Sequence, residues 1–394
     1  MLRWFIPLLA MLAVVRPAFA GIVEDGCVPL GAWVDTATGA RAGHRDLLAR
    51  AAGQGVVLLG ESHDSAEHHR WQLQTIAGLH ALAGDIVLGF EMFPRRVQPA
   101  LDRWVAGGLD EAAFLDEAGW DEVWGVDAAL YMPLFHFARI NRVPMVALNV
   151  DRGLVARVRE EGWAAIPEAD REGVSDPAPA SAAYIDWLRE VYRRHLEERG
   201  NAPDSAAPVD RDDPAFRRFV EAQLTWDRAM AEALATAADA PRRPLVIGVI
   251  GEGHLRNRFG VPWQLAALGA GDAAVLLPWD AGRDCAELTP DLADAVFGLA
   301  PPAARPEPPK PRLGVIIRGG DGGVRVIEVV AESVAEAAGI RKGDLIVEAA
   351  GVAVADNAGL IAVVQRQAPG TWLPLAVERD GERLDIVARF APGP

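Results

Sequence analysis

Val56-Val-Leu-Leu-Gly-Glu-Ser-His-Asp64 runs from four aliphatic residues into a glycine, two acids, a hydroxyl and an imidazole. Four apolar residues without alternation describe a strand buried on both faces, as in a parallel sheet covered by helices. With residues 56–60 as the first such run, four more follow at 86–91, 144–150, 245–251 and 274–277. Between them apolar residues recur at helical spacing over 68–82, 97–105, 128–140 and 216–238. This alternation predicts an α/β unit, its mainly parallel sheet covered by helices on both faces.

The strand ends carry the chemistry. The first closes on Glu61-Ser62-His63, the second on Phe90-Glu91-Met92, the third on Asn149-Val150-Asp151 and the fourth on Gly251-Glu252-Gly253-His254. In an open parallel sheet the C-terminal edge is where ligands bind, so these groups are expected in one cleft. His63, Glu91 and His254 form a facial set suited to a divalent ion such as Mn, Co or Zn, with Glu61 or Glu252 as base for a bound water. Alternatively His63, His68, His69, Tyr131, Asn149 and His254 line a site for a larger ligand, with a Tyr or His on a haem iron. Gln223 and Asp227 share a helical stripe and either support the cleft or contact another helix. No phosphate-binding loop, nucleophile elbow or dinucleotide fingerprint is present.

The chain has 394 residues, 51% of them hydrophobic, and a formal net charge of -16, which argues against nucleic-acid binding. Its one long apolar run, residues 4–15, follows Arg3 and precedes Ala18-Phe19-Ala20. Residues 1–20 therefore read as a secretory signal peptide, and the protein is expected to be exported to the periplasm. The mature chain then keeps two cysteines, Cys27 and Cys285, which in an oxidising compartment are expected to pair. Six prolines within 300–311 mark a linker between an α/β domain, 21–299, and a small β-rich domain, 312–392. Residues 170–181 and 200–214 read as loops inserted in the first domain.

Taken in order, Gly60-Glu61-Ser62-His63-Asp64, His68-His69, Phe90-Glu91-Met92, Gly119-Trp120-Asp121, Ala129-Leu130-Tyr131, Gln223 with Asp227, Gly253-His254 and Gly260-Val261-Pro262 resemble the ChaN-like haem-binding proteins of the Tiki superfamily. The resemblance spans roughly residues 45–280. It implies a haem ligand, a role in iron uptake and haem held at a homodimer interface. The superfamily also includes metal-dependent hydrolases, which keeps that alternative open. Many ChaN-like proteins are lipoproteins, whereas Glu24-Asp25-Gly26 before Cys27 is no lipobox. Leu313-Gly314-Val315, the apolar run 326–330 and Ala338-Gly-Ile-Arg-Lys-Gly-Asp-Leu-Ile346 resemble a bacterial PDZ domain. That resemblance implies a C-terminal peptide or protein partner held at Leu313, Gly314 and Val315.

Overall fold

The computed structural model describes residues 26–198, 209–301, 311–320 and 322–391. The expected signal peptide and most of the proline-rich stretch lie outside them. The chain divides into two compact units, Met1–Ala303 and Ala304–Pro394.

The first unit is built on eight strands: β1 (Trp33–Asp35), β2 (Arg41–Ala42), β3 (Val56–Glu61), β4 (Ile86–Pro94), β5 (Met145–Asn149), β6 (Leu245–Gly251), β7 (Ala274–Asp280) and β8 (Ala295–Leu299). Their order across the sheet is β2-β1-β8-β7-β3-β6-β4-β5. The six strands from β8 to β5 are mutually parallel, and β1 and β2 join antiparallel at one edge. The absence of alternation in the apolar runs has a direct cause. Val57, Leu59, Leu88, Phe90, Ile247 and Val249 face one hydrophobic core, while Val56, Leu58, Val87, Val246 and Ile250 face another. Helices Ala66–Ala83 and Gln98–Val105 cover the first face, and Pro214–Ala238 and Val261–Ala267 cover the second.

The expected helix over 128–140 is split. A short 3-10 turn, Ala128–Leu130, precedes helix Met132–Asn141, and Pro133 in the first turn of that helix suits a fresh start there. Helix Ala182–Glu198, which no sequence pattern indicated, follows the expected loop at 170–181; most of the second expected loop, 200–214, lies outside the described residues.

Cys27 and Cys285 are bonded, with Cα atoms 5.7 Å apart and a sequence separation of 258. The bond clips the segment leading into β1 to the loop after β7. Among the described residues no helix is long and apolar enough to cross a membrane.

The second unit is an antiparallel sheet of β9 (Val315–Gly320), β10 (Gly323–Val329), β11 (Leu345–Ala349), β12 (Val352–Ala353), β13 (Trp372–Arg379) and β14 (Glu382–Arg389). Its order is β14-β13-β11-β10-β9, with β12 beside β11, so β9 is an edge strand. The Lys342-Gly343-Asp344 motif is structural: buried Asp344 accepts two hydrogen bonds from Arg379, each 2.8 Å, and one from the Arg341 N–H. Helix Asn357–Gln365 stands over the edge and with it walls a cavity of about 340 Å³. Leu313, Gly314, Val315, Ile317, Leu360 and Val364 line that cavity.

Candidate functional site

The four strands whose ends carry polar groups lie side by side as β3-β6-β4-β5. Sequence pattern supplied the strand ends, and sheet order makes them neighbours. Parallel register from Val56↔Val246 to Glu61↔Gly251 sets Glu61 beside the start of the His254 loop. Above these ends opens a cleft of about 540 Å³ lined by His63, Glu91, Asn149 and His254 among polar residues. Met92, Trp124, Val126, Val150 and Trp226 supply its apolar walls.

Glu61 does not face the cleft. Its carboxylate is buried and accepts from four groups: Tyr131 O–H at 2.6 Å and His63 Nδ1 at 2.9 Å on Oε1, Gln72 Nε2 at 3.0 Å and His69 Nδ1 at 3.3 Å on Oε2. Burial alone would raise its pKa, but the hydrogen bonds from His63 and His69, with their charge, hold it well below the usual carboxylate range. With both oxygens engaged it is an anchor for its neighbours rather than a base for water. Tyr131 is fully buried, and burial together with the Glu61 charge pushes its phenol far up. Its hydroxyl is committed to Glu61 and does not line the cleft, so the expectation of Tyr131 as an axial ligand is not met by this geometry.

His68 and His69 are buried beneath the loop, not beside the ligand space. Ser65 caps the helix by accepting from the His68 N–H. The His68 ring accepts from the Ser62 N–H through Nδ1 at 2.8 Å and donates through Nε2 to Asp280 at 3.0 Å. His69 donates through Nε2 to the His63 carbonyl at 3.1 Å. Both therefore shape the loop that presents His63.

His63 is the exception. Its side chain is 39% exposed, its ring packs edge-to-face with Trp124 with the centroids 4.6 Å apart, and its Nδ1 donates to Glu61. In the neutral ring that bond fixes the Nδ1–H tautomer, which leaves the lone pair on Nε2, and the residue lines the cleft. Burial would lower its pKa, yet the bond to Glu61 and the nearby Glu91 raise it on balance. Gly251 leaves the ring its space, because a Cβ there would stand 2.8 Å from His63 Cε1.

His254 is held differently. Nδ1 donates to Asp227 Oδ1 at 2.6 Å, and Nε2 lies 3.5 Å from Glu91 Oε1. Asp227 in turn accepts from Tyr184 O–H at 2.8 Å, and Gln223 lies 3.2 Å from His254 Nδ1. The stripe of Gln223 and Asp227 thus supports the cleft. Gly260, at φ +58°, is required beside it, since a Cβ there would lie 2.8 Å from Asp227 Oδ1. Glu91 Oε2 accepts from the Gly251 N–H at 2.6 Å, and Asn149 donates to the Glu91 carbonyl at 3.0 Å. Asn149 therefore braces β4 against β5.

Burial opposes charge on His254, but Glu91 and Asp227 overcome it and raise its pKa to about 9 from the usual 6.5. A raised pKa gives stability that is complete below about 6.5 and is lost as pH climbs through about 9. Unfolding free energy is expected to fall by roughly 2–3 kcal/mol across that window. Melting curves at pH 6.5, 7.5 and 9 check this against His254→Gln, whose profile should be flatter; parallel profiles would contradict it.

Among the described residues no group of three or more His, Cys, Asp and Glu side chains is placed to hold a metal ion. His63, Glu91 and His254 do meet in the cleft, but both nitrogens of His254 face carboxylates. Glu252, the other expected base, is paired with Arg283 at 3.1 Å and Arg256 at 3.9 Å. The expected Mn, Co or Zn site finds no support.

The haem-binding uptake family of the Tiki superfamily, ChaN, matches residues 47–265. The chain belongs to the ChaN family. The PDZ family matches residues 311–388, so this ChaN-like protein carries a PDZ domain. ChaN of Campylobacter jejuni, solved with cofacial haem binding, is 18% identical over 68% of this chain and 98% of its own, with a TM-score of 0.53. At that identity the likeness is one of fold. A serine endoprotease from Yersinia pestis is 21% identical over 22% of this chain and 30% of its own, with a TM-score of 0.20. No curated protein matches. Residues that the motifs did not flag complete the ChaN-like cleft: Trp124, Trp226 and the arginines Arg96, Arg152 and Arg159.

Proposed function

We propose that this protein is an exported, periplasmic haem-binding protein of iron uptake, that haem sits in the cleft above β3-β6-β4-β5, and that His63 Nε2 is its iron ligand. One observation carries the reading: His63, part-exposed in the cleft lining, is held through Nδ1 by buried Glu61, which leaves Nε2 as the nitrogen for a ligand. Membership of a haem-binding family supports the ligand. The residues fit it: the volume suits a small-molecule site, the walls are apolar and aromatic, and the Trp226 N–H is buried without a hydrogen-bond partner. Bound haem would supply iron able to change ligand and oxidation state. The chain's own residues orient the imidazole, through Glu61, and close the walls against water, through Trp124, Met92 and Val150. The Cys27–Cys285 bond accords with an oxidising compartment.

The PDZ domain would dock a partner's C-terminal peptide along the β9 edge, whose outer side pairs with no strand among the described residues. Leu313, Gly314 and Val315 would receive its carboxylate end.

The test is a haem titration followed at the Soret band. Wild-type protein should saturate at one haem per chain. His63→Ala should bind about tenfold or more weakly and with an altered Soret position. Tyr131→Phe should keep the wild-type Soret position, losing only about 1 kcal/mol of stability. No saturable change in the wild type would sink the proposal, and a spectrum altered by Tyr131→Phe alone would reassign the ligand. The mass of the loaded protein reads whether haem sits between two copies, as the family resemblance implies.

A further inference from the structure

Helix Arg152–Glu161 borders the cleft with Arg152, Val155, Ala156 and Arg159. Spacing of i, i+3, i+4 and i+7 puts all four on one face, with the two arginines roughly 10 Å apart along the axis. On that face only Val155 and Ala156 lie between the two arginines. Arg96 reaches the same cleft from the turn after β4 and pairs with Asp151 at 2.6 Å. Arg152 donates to the Trp124 carbonyl at 3.3 Å, a neutral acceptor that leaves its charge available to a ligand. Arg159 lies over the Phe219 ring with 5.8 Å to the centroid. Three arginines and three acids, Glu91, Glu122 and Asp151, line the opening; Arg96 is paired with Asp151, so Arg152 and Arg159 are the cations that the helix itself presents there. None of the arginines belongs to the strand-end motifs.

We infer that this helix face is a carboxylate clamp, which selects a flat apolar ligand by the ionised acid groups on its rim. The inference rests on the haem reading and deepens it: His63 addresses the metal, and Arg152 and Arg159 address the two propionates. Guanidinium groups pair with carboxylates through planar, charge-assisted hydrogen bonds, and both arginines are exposed at the rim, where a ligand's acid groups can reach them. Recognition then has two separable halves. A porphyrin without iron keeps the clamp and loses the imidazole bond, and an esterified haem does the reverse.

The full chain is titrated with haem, haem dimethyl ester and iron-free protoporphyrin IX, each followed by quenching of tryptophan fluorescence. The ester should bind about tenfold or more weakly than haem. An Arg152→Gln, Arg159→Gln double variant should weaken haem and protoporphyrin about tenfold and the ester hardly at all, while the Arg→Lys pair recovers part of the loss. His63→Ala should weaken haem and leave protoporphyrin unchanged. Ester binding as tight as haem, or an equal loss of ester and haem in the Gln variant, overturns the clamp and leaves the haem reading standing. A wild type that responds to none of the three overturns both. Far-ultraviolet circular dichroism of each variant confirms that it is folded.

Discussion

Glu61→Leu is expected to destabilise the first unit by about 3–5 kcal/mol, and Glu61→Gln by about half as much. The carboxylate is the shared acceptor for Tyr131, His63, His69 and Gln72, all donating into one buried volume. Leucine fills the space but strands four donors, two of them on imidazoles whose charge Glu61 stabilises. Glutamine keeps one acceptor oxygen and turns an NH2 toward groups that are themselves donors, so it repairs only one side. Because the folded carboxyl is held below its ordinary range, its contribution is present above the ordinary value of 4.5 and is lost as pH falls well beneath it. The raised imidazoles act in the opposite sense, so this cluster stabilises the fold most between about pH 4.5 and 6.5. Denaturant unfolding of the two variants at pH 6 checks the size of the effect. A Glu61→Leu protein as stable as the wild type would show that the four contacts are not made as described. Where the Gln variant folds, the His63 ring loses its tether, and haem affinity should fall by about ten- to a hundredfold.

That cluster also marks what the sequence could and could not convey. The strands β3, β4, β5 and β6 were legible because a strand covered on both faces must be apolar throughout, and no helix spacing competes with such a run. Their adjacency was not legible, since residues 61, 91, 149 and 251 meet only through the strand order. β1 and β2, with three and two residues, are too short to carry a pattern. The histidines were read by residue type, which does not say which side of a loop a ring takes. His63 reaches the cleft, whereas His68 and His69, in the first turn of the next helix, point under the loop at Asp280 and at the His63 carbonyl. Tyr131 is of a residue type capable of ligating haem iron, but a phenol beside a buried carboxylate donates to it first. The face of Arg152, Val155, Ala156 and Arg159 was present in the sequence as a plain helical spacing. Without the cleft beside it, such a face is indistinguishable from an ordinary solvated one.

Removing the Cys27–Cys285 bond, by Cys27→Ser with Cys285→Ser, is expected to cost about 3–5 kcal/mol. The loop it closes spans 258 residues, nearly the whole first unit, so the unfolded chain gains much freedom when it is cut. The folded state also has something to lose. The segment after Cys27 reaches the sheet edge through Gly31, which donates to the Gly298 carbonyl at 2.8 Å, and through Val28 and Val34 in the buried core. A three-residue edge strand has few contacts of its own. With the bond gone, residues 26–42 should fray first and the parallel strands last. For a unit of this size, the melting temperature should drop by about 6–15 °C. Hydrogen exchange should show lost protection in β1 and β8 and unchanged protection in β3 and β6. Uniform loss across the sheet, with no local change at β1, would mean that the bond acts only on the unfolded chain. An unchanged melting temperature on full reduction would mean that it does not constrain the fold at all. The haem titration separates stability from function, because the disulfide lies on the far side of β7 from β6 and β4. The variant, below its own melting temperature, should keep its Soret position and its haem affinity within about twofold.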